Sequence, residues 1–154
     1  LSKCNLASMV ESVHDLLTPQ LKDKGIHWVM QIDPAVPELM LDSSQAERIF
    51  INLINNAIKF TPANGTIAVR AHLNDNIVTV EVSDTGIGIS ENDLARLFSE
   101  FYRVDNQINQ NVKGTGLGLS LAKKIVEAHK GRVWVTSKVN EGTTFHFTLP
   151  VQQP

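Results

Sequence analysis

Hydrophobic positions along the chain change period several times, and each change marks an element. Leu6, Val10, Val13, Leu17 and Leu21 recur at helical spacing, and Gly25 follows as a stop, so a first helix is predicted there. "IHWVMQID" reads as a strand closed by Pro34 and Pro37, with a short extended piece at "ELMLD". From Ser43 the helical period returns and runs to about Phe60. Ser44 and Glu47 are spaced as a capping box, and Thr61-Pro62 supplies the stop. "TIAVRAHL" and "IVTVEVSD" flank the turn "NDN" as an antiparallel hairpin. A polar, glycine-punctuated region covers residues 85–118, broken by the amphipathic piece "ENDLARLFSEF". A helix over about 117–129 ends at Lys130-Gly131, and the strands "RVWVTSK" and "TTFHFTLP" form a second hairpin. No repeat or low-complexity linker interrupts this order, which predicts a two-layer sandwich with helices on one face of a mixed sheet.

Composition narrows the class without naming a chemistry. The 154 residues, 42% hydrophobic and 19% charged, suit one globular domain with a full core. No apolar run approaches the roughly 18 residues that cross a bilayer. The net charge of −2 argues against a partner held by bulk electrostatics, such as nucleic acid. Cys4 has no second cysteine to pair with, which points to a reducing cytoplasm. A start at Leu1 with neither a basic stretch nor an apolar block predicts no secretory leader and a piece of a longer protein.

Three segments carry candidate chemistry. In "AERIFINLINNAIKFTP" the residues Asn52, Asn56 and Lys59 fall at i, i+4 and i+7 and share one stripe beside the apolar face. Two amides and an ammonium in line suit phosphate and a hard cation, because amide oxygens ligate Mg2+. A wet surface stripe explains them equally well. In "VSDTGIGIS", Asp84 ends a strand, and Gly86 and Gly88 let the backbone turn sharply toward a ligand. A carboxylate only accepts hydrogen bonds, so it fits an exocyclic amine such as that of adenine, although Asp-Thr-Gly is also an ordinary turn. In "KGTGLGLSLAKKIVEAH", Gly114, Gly116 and Gly118 precede a helix whose free N–H groups make an anion site. The spacing is neither a P-loop nor a dinucleotide fingerprint. The span "RVDNQINQNVKGTG" has almost nothing to bury, which predicts a mobile lid between base and phosphate sites.

With these motifs in order, the chain resembles the ATP-binding catalytic domain of sensor histidine kinases, in the wider group of gyrase-type topoisomerases, mismatch-repair ATPases and large heat-shock chaperones. "NLINNAIKFTP" is similar to the N box, "DTGIGIS" to the first glycine box, "LFSEFYRVD" to the F box and "GTGLGLSLAKKIVEAHKG" to the second glycine box. The resemblance implies an α+β Bergerat fold over residues 1–154: a mixed, mostly antiparallel sheet, about three helices on one face, and a lid. It implies ATP and Mg2+ as ligands, with Asn56 on the metal and Asn52 one turn earlier. Lys59 and Arg103 would meet the phosphates, and Phe60 would lie near the purine. Asp84 would take the adenine amine in a pocket shaped by Gly86 and Gly88. Lys113, Gly114, Gly116, Leu117 and Gly118 would surround the triphosphate, and Thr143 or Thr144 would help at the base. The implied acceptor is a histidine on a separate helical-hairpin domain, with a response regulator downstream. Hydrolysing relatives carry a glutamate where Asn52 stands, and an amide cannot act as a general base. That feature and the F box favour phosphoryl transfer over an ATP-hydrolysing clamp or a nucleotide-sensing module.

"HDLLTP" at residues 14–19 imitates the acceptor motif of this family. Asn52 follows His14 by only 38 positions, already filled by a helix end, a strand and two prolines. Leu17 stands where the motif has arginine. His14 is therefore expected to be a half-buried helical residue. His27, His72, His129 and His146 show no metal-ligand spacing. His129 is expected at a helix end as a favourable partial positive charge. Trp28 and Trp134 are expected in the core or on a sheet face.

Overall fold

The computed structural model describes residues 1–98 and 118–151. In chain order the elements are β1 (Ser2–Cys4), α1 (Leu6–Asp23), β2 (His27–Ile32), β3 (Leu39–Leu41), α2 (Ser43–Phe60), β4 (Thr66–Asn74), β5 (Ile77–Asp84), a short α3 (Glu91–Leu94), α4 (Gly118–Ala128), β6 (Val133–Lys138) and β7 (Gly142–Pro150). Five strands form one sheet in the order β2-β4-β5-β7-β6. Only the β2–β4 pair is parallel; the hairpins β4–β5 and β6–β7, and the β5–β7 pair that joins them, are antiparallel. β1 and β3 make a separate two-stranded ribbon.

Alternation along the strands divides the sheet into two faces. Ile67, Val69 and Ala71 of β4 stand beside Val78, Val80 and Val82 of β5, which stand beside Phe145, Phe147 and Leu149 of β7. All nine are buried, and together with residues of α1, α2 and α4 they form one continuous core. α2 packs on both α1 and α4. Its Phe50 meets Phe147 edge-on at 5.5 Å between ring centres. The opposite face is polar and partly wet. There Trp134 stacks on His146 at 5.1 Å, Arg132 lies over Trp134, and Thr136 Oγ1 contacts His146 Nε2 at 2.9 Å. The two-layer arrangement and its mixed sheet are as expected from the sequence.

Several local details differ from expectation. The cap of α2 is Asp42, not Ser44: its Oδ1 accepts from the Gln45 N–H at 3.1 Å, and Ser44 Oγ merely donates to the same carboxylate. Asp42 holds the extended backbone that a cap needs, while Ser44 is already inside the helix. His129 stands at the end of α4, as expected, and is buried there. Its Nδ1 faces the Ile125 carbonyl at 2.9 Å and its Nε2 accepts from the Asp42 N–H at 3.1 Å, so the ring clasps the end of α4 to the start of α2. His14 is half-buried on α1, tilted against Trp28 at 4.9 Å between ring centres. Among the described residues no helix is long and apolar enough to cross a membrane.

Candidate nucleotide-binding site

α2 organises the polar cluster on the edge of this core. It buries Ile49, Phe50, Leu53, Ile54, Ala57 and Ile58, and leaves Asn52, Asn56, Lys59 and Phe60 half-exposed along one flank. Near one end of that flank, Asn52 Nδ2 donates to the carbonyl of Gly118, the first residue of α4, at 3.1 Å. At the other end, the Phe60 carbonyl accepts from the N–H of Ile87, in the loop after β5, at 3.3 Å. Eight residues separate these contacts, about 12 Å along a helix. The amide helix, the strand-end aspartate and the first turn of α4 therefore belong to one locality. Among the described residues the side chains of Asn56 and Lys59 make no hydrogen bond.

Asp84 closes β5, and only 8% of its surface is exposed. Its Oδ1 accepts two backbone N–H groups, from Gly86 at 2.8 Å and Thr143 at 3.3 Å. Oδ2 has no hydrogen-bond partner among the described residues. Burial pushes this carboxyl above the ordinary carboxylate range, and the two amide donors pull it partly back. A buried carboxylate with one oxygen open is a directed acceptor that lacks its donor. The glycines beside it are required by space. A Cβ on Gly86 would stand 2.2 Å from the Phe60 carbonyl oxygen, and Gly88, at φ +74°, would drive one to 2.1 Å from the Lys138 carbonyl oxygen.

Thr143 and Thr144 separate by strand parity. Thr143 pairs with Asp84 across β5–β7 and is buried beside it. Thr144 lies on the opposite face, its hydroxyl 2.9 Å from that of Ser83, and is not brought to the cluster. Ser137 was not legible from the sequence, yet its Oγ contacts Thr143 Oγ1 at 2.7 Å and accepts from the Ile89 N–H at 2.8 Å. It thereby ties the glycine loop to β7. Only strand register reveals it. Arg103, Lys113, Gly114, Gly116 and Leu117, with the expected lid, lie outside the described residues. A cavity of about 450 Å³, lined by Leu1, Asp42, Gln45, Ile125 and His129 among others, shares none of these cluster residues. The geometry around Asp84, rather than cavity size, marks the candidate site.

Residues 41–153 match the family described as histidine kinase-, DNA gyrase B- and HSP90-like ATPase. The chain belongs to this family. It is 40% identical over 147 residues to the adaptive-response sensory kinase SasA of Synechococcus sp. (strain JA-3-3Ab), covering 95% of this chain and 38% of that protein. The chain thus spans well under half the length of that relative. The catalytic domain of the histidine kinase ThkA superposes with a TM-score of 0.85 at 30% identity, covering 97% of this chain and 95% of the other. Full-length ShkA, solved in complex with AMPPNP, superposes with a TM-score of 0.86 at 27% identity, covering all of this chain and 32% of the other. Within the family, the similarity is to the catalytic domains of sensor histidine kinases, and ATP use follows from that membership.

Proposed function

We propose that this domain, as one catalytic part of a longer sensor kinase, binds Mg2+–ATP and presents the γ-phosphate to a histidine on a separate helical-hairpin domain. The observation that carries the reading is the buried Asp84, with one oxygen satisfied by the backbone and the other open, beside a helix that touches both glycine regions. The open oxygen accepts the exocyclic amine of adenine in a charge-assisted bond. Phe60 flanks the base, and Thr143 holds Asp84 from β7.

The polar flank of α2 fits a metal-bound triphosphate. Asn56 offers a hard amide oxygen, and Lys59 follows almost one turn later as a cation for phosphate. Among the described residues no three His, Cys, Asp or Glu side chains gather as a cation cage. A cation at this flank would therefore draw its ligands from amide and phosphate oxygens, and its chemistry would be to neutralise phosphate charge. The start of α4 adjoins the same flank through the Gly118 carbonyl, and a helix N-terminus favours phosphate. Arg103, Lys113, Gly114, Gly116 and Leu117 complete the phosphate side on the strength of the family motifs. Phosphoryl transfer needs chiefly such positioning and charge stabilisation.

Asn52 spends its amide on the Gly118 carbonyl and cannot accept a proton from water, so the chain's own residues do not activate hydrolysis at that position. His14, on α1 and packed against Trp28, is not the acceptor in this reading. Titration with Mg2+ and ATP should give binding heat. Incubation with labelled ATP alone should leave the chain unlabelled, whereas adding a dimeric acceptor hairpin should yield acid-labile phosphate on the hairpin. No heat in the titration would sink the nucleotide site, and stoichiometric label on His14 would sink the separate acceptor.

A further inference from the structure

One side chain outside the polar cluster closes the C-terminal end of α2. The last carbonyls of a helix have no donor within the helix. Here every carbonyl from Ala57 to Thr61 has a partner. Ala57 accepts from Thr61 Oγ1 at 2.6 Å. Ile58, Lys59 and Thr61 accept from the single ammonium of Lys24, at 2.7, 3.2 and 3.1 Å. Phe60 accepts from the Ile87 N–H. An ammonium carries three donors, and all three of Lys24's are used on carbonyls of this one helix end.

Lys24 belongs to the connection between α1 and β2, which is itself anchored: its carbonyl accepts from the Asn64 N–H at 2.9 Å, just past α2. No carboxylate pairs with Lys24 among the described residues, so its counter-charge is the negative end of the α2 dipole. Partial burial lowers its pKa from the ordinary lysine value, as expected of an ammonium held among carbonyls instead of water.

We infer that Lys24 is a positioning residue for the nucleotide site, fixing where Lys59 and Phe60 stand relative to the Asp84 loop. The inference rests on the nucleotide reading given above. Its force comes from the fit between helix end and loop. The Phe60 carbonyl is shared with the loop through Ile87, and a Cβ at Gly86 would fall 2.2 Å from the same oxygen. Helix and loop touch without slack at this point. Releasing the three carbonyls beside it lets the last turn of α2 fray and moves Phe60 and Lys59 together.

The test is calorimetric titration of Mg2+ with a non-hydrolysable ATP analogue into four proteins: wild type, Lys24→Met, Lys24→Arg and Val10→Ala. The temperature is set where circular dichroism shows all of them folded. Lys24→Met should weaken binding about tenfold, below the roughly hundredfold that a 1 Å misplacement at a reacting centre can cost. Lys24→Arg, which keeps the charge and several donors, should return affinity to within about threefold of wild type. Val10→Ala, deep in the α1 face, should lower thermal stability and leave affinity unchanged. If Lys24→Met does not fold, Lys24→Gln takes its place with the same expected loss. Wild-type affinity in the uncharged variant, or an equal loss in Val10→Ala, would reduce Lys24 to a structural cap and overturn the inference. Absence of heat in wild type would instead remove the nucleotide reading, and this inference with it.

Discussion

The two ends of the polar flank of α2 are built differently. At the Phe60 end, backbone carbonyls are satisfied by Thr61, Lys24 and Ile87, and a buried carboxylate is held on one oxygen by two amides. At the Asn52 end there is one side-chain bond to Gly118, and Asn56 stands half-exposed with no described partner, as does the side chain of Lys59 next to Phe60. The first end is fixed before any ligand arrives. The second consists of side chains whose partners the proposed ligand supplies. In the proposed reading, adenine recognition is preorganised and therefore selective, while phosphate and metal are gathered by flexible polar groups.

The sharpest way to break this contrast is at Asp84. Asp84→Ala removes a charge-assisted bond worth roughly 1.5–3 kcal/mol, about ten- to a hundredfold in ATP affinity. The loss should appear equally for ATP and ADP, because it concerns the base alone. Calorimetry with both nucleotides measures it, and unchanged affinity would reject the adenine role. A pH titration probes the same group without a cavity. The folded carboxyl has a raised pKa, chiefly through burial, so it takes up its proton at a higher pH than an ordinary aspartate. The ratio of wild-type to Asp84→Asn affinity should therefore fall as pH drops, beginning above the ordinary carboxylate range. The linked stability runs in the opposite sense: a raised native pKa means stability from this group falls as pH rises from the unfolded pKa through the folded one. Without nucleotide, Asp84→Asn should lose part of that fall.

Gly86→Ala attacks the same end through space. A methyl 2.2 Å from a backbone oxygen cannot be absorbed by a side-chain rotation, so the loop must leave the helix. Thermal denaturation should show a loss of roughly 1–3 kcal/mol, with weaker nucleotide binding in parallel. Asn56→Ala, at the looser end, should scarcely change stability. Its expected effect is on the metal: the gain in ATP affinity on adding Mg2+ should shrink severalfold, by about 1 kcal/mol. An undiminished Mg2+ dependence in calorimetry would exclude Asn56 as the ligand.

Much of this was legible in the sequence because it depends on local periodicity and punctuation. The spacing from Ile49 to Ile58 announced the buried face of α2 and, by exclusion, the stripe of Asn52, Asn56 and Lys59. Asp84 followed by Gly86 and Gly88 announced a tight loop at a strand end. What the sequence withheld depends on contacts between distant segments. Lys24 precedes its three carbonyls by 34 to 37 residues, and nothing in "LKDKGIH" distinguishes it from Lys22. Ser137 gains its place only from β6–β7 register, which also sends Thr144 to the far face. The burial of His129 at its helix end comes from the start of α2, far away in sequence. The cap at Asp42 was missed because Ser44 and Glu47 offered a competing pattern two residues on. Tertiary position, not propensity, decides among such alternatives.

The smallest effect sharpens the contrast most. Gly118 stands at the same kind of boundary as Gly86, a glycine-rich segment meeting a fixed element, and the family motif treats both as parts of glycine boxes. Yet a Cβ on Gly118 would find its nearest described atoms at 3.8 and 3.9 Å, on the Asn52 side chain. That is ordinary contact. The bond from Asn52 goes to the Gly118 carbonyl, which a methyl does not displace. Alanine also loses less backbone freedom than glycine on entering a helix, a gain of up to about 1 kcal/mol. Gly118→Ala should therefore unfold within about 1 kcal/mol of wild type, with any shift toward stability, and bind ATP within about threefold. Chemical denaturation and calorimetry of Gly118→Ala beside Gly86→Ala check this. If Gly118→Ala proved as damaging as Gly86→Ala, the phosphate end would be as tightly built as the base end, and the contrast would disappear.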